Sequence, residues 1–163
     1  MSEVFYSYFA AEKSESLLFI AIALVALAAG VVFFFQSHQV LRGAAYPLVV
    51  IALIQLTVGS TVYFRTDGQL VELEKIRSQD TKAFKTSETA RMENVNRAFD
   101  LYKIVEITLG LTGLGLILWG HVKENPFLSG LGYGLLIQSL FMLGMDLAAE
   151  KRADLYTAWL RLL

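Results

Sequence analysis

The chain has 163 residues, of which 55% are hydrophobic and 18% charged, with a net charge of −1 and no cysteine. A soluble domain of this size has too little interior to hide that much apolar surface, and disorder requires the opposite composition. The near-neutral balance excludes a bulk basic field for nucleic acid, and the missing cysteines exclude disulfides, thiolate catalysis and cysteine-based metal centres. The expected class is an all-α integral membrane four-helix bundle, up-down-up-down, with the lipid bilayer as its first partner.

The N-terminal segment Ser2–Ser16 carries Glu3, Glu12 and Glu15 against one Lys13. A secretory signal begins with a basic region and ends at a small-residue cleavage site, so the apolar run that follows is expected to be retained. Phe5, Tyr8 and Phe9 share one face of a short helix and are expected to anchor it at a membrane interface. The first span is expected at 17–36, without a polar side chain from Leu17 to Phe35. The second, at 44–64, has Pro47 near its start, where a helix tolerates proline because first-turn amides lack internal partners. Both meet the length of about 20 apolar residues that a bilayer requires.

Residues 65–103 form the only long polar segment. They contain one glycine, Gly68, and no proline, and are rich in strong helix formers. Met92, Val95, Phe99, Tyr102, Glu106 and Leu109 recur at 3-4-3-4-3 spacing, the seam of a helical bundle. The segment is expected to be a helical hairpin, with a turn near Ser78–Thr81 and one long helix from about Thr86 into the third span. The third span is expected at 104–122 and the fourth, opened by Pro126, at 126–148. Residues 149–163 read as an amphipathic tail, with Leu155, Trp159, Leu162 and Leu163 on one face.

Of the 14 lysines and arginines, only Arg42 and Lys123 lie in the two short connections between spans. The bias places both termini and the hairpin on the cytoplasmic side of a plasma or inner membrane. The two halves also echo one another at an offset of 83 residues. Gly30, His38 and Gln55 pair with Gly113, His121 and Gln138, and Leu53-Ile54-Gln55 matches Leu136-Ile137-Gln138. That pattern is consistent with a duplicated two-helix hairpin, a parallel repeat about an axis normal to the membrane.

Ionisable groups inside a span face the bundle interior or water. Glu106 lies one turn inside its span, and Glu15, Arg65, Lys103 and Asp146 stand at matching depth. These five are expected to form a polar network, with Glu106 paired to Arg65 or Lys103. Structurally it locks helix ends; functionally it is an ion or proton entry site, or the pocket of a lipid headgroup. Gln55 and Gln138 supply uncharged polarity at mid-depth, suited to bonds between helices. Ala26, Gly30, Gly110, Gly113, Gly115, Gly130 and Gly134 permit close helix approach. No phosphate loop, nucleophile elbow or zinc-protease motif is present. No cofactor or metal is expected, and the only histidines, His38 and His121, are the sole candidates for haem or copper ligation. These features point to a non-enzymatic membrane protein that acts by assembly, as a homo-oligomer or a subunit of a membrane complex that docks through its hairpin. The competing readings are a channel or small cation or proton transporter using the acidic layer, and a bis-histidine haem electron carrier.

Overall fold

The computed structural model describes residues 2–163. Four α-helices follow one another: α1 (Ser2–Phe34), α2 (Gln39–Gln79), α3 (Thr81–Val122) and α4 (Pro126–Arg161). They are 33, 41, 42 and 36 residues long. At 1.5 Å per residue each runs about 50–60 Å, far more than the roughly 30 Å of a hydrocarbon core. Each helix therefore divides into an apolar half and a polar half. All four are long and apolar enough to cross a membrane, which is compatible with a multi-pass membrane protein.

The helix ends have local causes. Asp80 makes the α2–α3 turn alone. Its extended backbone donates to the Ile76 carbonyl, closing α2, while its carboxylate accepts from the amides of Lys82 and Ala83, opening α3. The turn expected around 78–81 thus falls on the one residue able to serve both ends. Asn125 caps α4 by accepting from the Leu128 amide at 3.1 Å, and Pro126 takes the first helical position. Between α3 and α4, Glu124 adopts the left-handed region, with φ 48°. α2 begins at Gln39, five residues before the expected boundary, so Pro47 lies inside the helix rather than in its first turn.

Consecutive helices run antiparallel. Gly30 of α1 lies against Ala45 and Val49 of α2, and Gly59 of α2 against Ser16 and Ile20 of α1. In the second hairpin Gly113 of α3 meets Gly132 and Leu136 of α4. The two hairpins join through α2 and α4, which run parallel at the centre of the apolar half. A Cβ on Gly43 would strike the Phe127 carbonyl, and one on Gly130 would strike the Val40 carbonyl. These contacts are reciprocal at an offset of 87, one helical turn longer than the echo of 83 in the sequence. The histidines do not share a position: His38 precedes α2 as its N-cap, and His121 lies in the last turn of α3.

The polar half is a second bundle with a large-residue core. Phe5, Tyr8 and Phe9 of α1 and Tyr156 and Leu160 of α4 cluster with Leu73, Phe84 and Met92 of the hairpin. The Tyr8 and Tyr156 rings stack at 4.1 Å between centroids, and Phe5 meets Phe84 edge-on at 5.7 Å. The terminal aromatics expected to anchor at an interface are instead buried against the hairpin. The seam alone exposes a broad apolar stripe, and two further amphipathic helices cover it. Residues 149–161, read as a tail, continue α4 without a break.

Candidate functional site

The two bundles meet at a layer of charge. Lys103 pairs with Glu150 at 2.5 Å and Asp100 at 3.1 Å. The bonds to Glu150 and then Asp100 hold its ammonium above the ordinary lysine range. Arg65 reaches Glu12 at 3.8 Å, and Glu15 pairs with Arg152. Glu106 is 2% exposed, as expected of an inward-facing acid. Its expected partners, Arg65 and Lys103, are both engaged elsewhere. Both Glu106 carboxyl oxygens are buried and no protein N–H or hydroxyl reaches them; the group within hydrogen-bond reach is the Asp146 carboxyl. Its charged neighbour is another acid, Asp146, across the α3–α4 interface. Among the described residues, neither acid has a basic group within ion-pair distance. The network therefore divides into separate pairs, and the acid pair stands apart.

A partner of this layer absent from the sequence reading is Glu88, fully buried one turn before Met92. It accepts from Arg91 Nε at 2.8 Å and Nη2 at 2.6 Å, and from the Tyr156 hydroxyl at 3.0 Å. Burial opposes the Arg91 charge, but the bond and charge of Glu88 outweigh it and hold the guanidinium above its ordinary range. Burial, reinforced by Glu88, raises Tyr156; burial and then Glu12 raise Tyr8. Glu88 was visible as an extension of the seam, Phe84-Glu88-Met92-Val95-Phe99. Glu12 was likewise visible in the α1 stripe Phe5-Phe9-Glu12-Ser16-Ala23-Ala26-Gly30.

Between the two bundles lies a cavity of about 570 Å³ lined by all four helices. Its charged wall comprises Glu12 and Glu15 of α1, Arg65 of α2, Arg91 of α3, and Asp146 and Arg152 of α4. Phe19, Val58, Phe99 and Met145 supply apolar surface. The cavity follows from the sizes of facing residues on α2 and α4. Gly43 and Gly130 bring the backbones together at one end. Further along, Gln55 and Gln138 need a full side-chain bond of 2.9 Å to meet. At the level of Arg65 and Arg152 the helices stand apart and the cavity lies between them. Val58 and Tyr102, both in its wall, are 45% and 46% exposed, so it opens on the side of the bundle. Tyr102, expected in the seam, lies at that opening.

The remaining candidates fall elsewhere. Val95 and Phe99 pack against the aromatic core with one side and line the cavity with the other, while Met92 is fully buried. Gln55 and Gln138 lie outside the cavity wall, and Gln55 Nε2 has no partner. His38 is exposed and makes no capping bond. His121 is exposed, with Nδ1 on the Ile117 carbonyl at 2.8 Å and Ser129 Oγ at 3.4 Å. No group of three or more metal-ligating side chains occurs among the described residues. The chain matches no protein-family model, no curated protein and no solved structure.

Proposed function

We propose that this is a non-enzymatic integral membrane protein that works by binding, and that the cavity between its two bundles receives a small amphiphile from the bilayer. The lateral opening between Val58 and Tyr102 carries the reading, because it joins lipid-facing surface to a charged interior. The volume lies in the range of pockets for small molecules, roughly 300–1,000 Å³. The polar head belongs among the arginines and carboxylates, and the apolar part toward Phe19 and Met145. The charge bias puts the polar bundle and both termini in the cytoplasm of a plasma or inner membrane. Singly introduced cysteines at Ser37 and Ser78 test this: an impermeant reagent outside intact cells labels Ser37→Cys and spares Ser78→Cys.

The binding reading is tested by native mass spectrometry of the protein released from a mild detergent. Wild type retains an amphiphile adduct. Ala98→Trp, which puts an indole into the cavity wall, loses the adduct while keeping its helical circular dichroism. Equal adducts in both proteins would remove the cavity as the site.

Assembly is the second reading. The hairpin seam no longer serves it, since α1 and α4 cover that surface. A Cβ on Gly115 or Gly144 would meet nothing, so those helix faces permit close approach of a second copy or a membrane partner. A monomeric mass by light scattering in detergent would count against self-assembly. A channel or carrier using the acidic groups would show cation or proton flux in liposomes.

A further inference from the structure

We infer that the cavity selects an amphiphile with a positively charged ammonium head, seated against Asp146, with Glu106 behind it. The inference rests on the binding reading above and assigns the charge of the ligand.

The contacts around the cavity set its charge balance. Each arginine of the cavity wall has an acid: Arg65 has Glu12, Arg91 has Glu88 and Arg152 has Glu15. Lys103, next to the site, is held by Glu150 and Asp100. Each nearby base thus has its ion-pair partner among other acids, and the two carboxyl groups of Asp146 and Glu106 have no base within ion-pair distance. Asp146 forms part of the wall, and the buried Glu106 lies behind it, its carboxyl within hydrogen-bond reach of Asp146 and of no base. Two neighbouring carboxyl groups removed from water share one proton, which leaves one negative charge without a counter-charge. A single positive charge delivered into the cavity balances it.

The wall favours an organic cation over a bare ion. No cluster of three metal-ligating side chains is found among the described residues, whereas a small inorganic cation requires several oxygen ligands. Phe19, Phe99 and Tyr102 offer ring surface in the same wall, to which an alkylammonium binds through both its charge and its apolar substituents. The lateral opening admits an amphiphile whose tail stays in lipid.

The test uses the full chain in a nonionic detergent, with three probes of equal chain length: dodecyltrimethylammonium, dodecyl sulfate and hexaethylene glycol monododecyl ether. Dissociation constants are read by native mass spectrometry titration. The expected result is at least tenfold tighter binding of the ammonium probe than of either other probe. Asp146→Asn and, separately, Glu106→Gln reduce that preference about tenfold or more, leaving the neutral probe unchanged. Two single variants are used so that a folding defect in one does not end the test; retained helicity qualifies either. Equal binding of all three heads, blocked by Ala98→Trp, overturns the ammonium inference and leaves the cavity reading intact. Tighter binding of dodecyl sulfate does the same. Stabilisation by sodium or potassium chloride that vanishes in Asp146→Asn, with no ammonium preference, overturns it in favour of an inorganic cation. Binding that Ala98→Trp does not alter overturns the cavity reading itself.

Discussion

The two halves of each helix pack by opposite rules. In the apolar half the interfaces are made of small residues: Gly43 and Gly130 touch carbonyls across α2 and α4, and Gly113 and Gly132 do so across α3 and α4. Large side chains point outward there; Val25, Leu111 and Leu118 are all more than 60% exposed. In the polar half the large side chains are inside: Phe5, Phe9, Phe84 and Tyr156 are essentially fully buried. The difference is the one expected between a half built for water and a half compatible with lipid. Water rewards burial of large apolar groups, as in the aromatic core of the polar half. Lipid gives no such reward, and helices in it associate through close backbone approach and hydrogen bonds, the packing found in the apolar half.

The contrast can be broken most severely at a glycine. Gly130→Leu puts a side chain into the space occupied by the Val40 backbone, which cannot turn aside as a flexible side chain can. The expected outcome is separation of α2 from α4 and loss of well-folded protein, read as aggregation on size-exclusion chromatography. The same substitution at Gly115, whose Cβ would meet nothing within the chain, leaves the protein folded and free of aggregate. Equal tolerance at both positions would refute the rule for the apolar half.

A smaller effect, confined to the other half, is expected from Glu88→Ala. It strips Arg91 of its bidentate partner and Tyr156 of its acceptor. Removing one side of a buried pair costs about 3–5 kcal/mol. The loss appears as hydrogen exchange and protease cutting around 70–103, while the glycine contacts of the apolar half hold. Cutting that spreads equally into the apolar half would show that the two bundles melt as one unit.

The smallest effect separates the halves by pH. The hydroxyls of Tyr8 and Tyr156 are both raised from the ordinary tyrosine value. A raised folded-state pKa contributes stability that is full below the unfolded value of about 10 and is lost as pH rises through the folded value. The polar bundle is therefore expected to loosen as pH climbs above about 10, ahead of the apolar one. Tyrosinate absorbance followed together with circular dichroism checks the order: these two rings ionise only as the polar bundle opens. Their ionisation while it stays closed would contradict their burial.

Much of this was legible in the residues. The Met92-Val95-Phe99 stripe and the Asp80 turn follow from spacing and from one capping side chain, both properties of a short stretch of chain. The inward face of Glu106 is equally local, because its seam position determines its direction. The choice of partners was not legible. Arg65 and Lys103 lie at suitable depth for Glu106, yet each long side chain reaches a different acid, Glu12 or Glu150. Depth along a helix is readable from a sequence, but the rotation of one helix against its neighbour is not.

The sequence by itself determined four apolar spans, the turn near Asp80 and the long helix that carries the hairpin seam into the third span, because periodicity and capping act within a few residues; that α1 and α4 also run unbroken from apolar into polar lengths was not read from it. Only the tertiary structure decided that the ends of α1 and α4 close over the hairpin, that α2 and α4 meet at Gly43 and Gly130, and that a cavity opens where they diverge. Those outcomes depend on contacts between residues far apart in the chain, 68 positions for Glu88 and Tyr156 and 83 for Gln55 and Gln138, where a glycine or an arginine means nothing until the facing residue is known. The unpaired Glu106 and Asp146 belong to the same class: each is an ordinary acid on its own helix, and their isolation arises from where every neighbouring base is held.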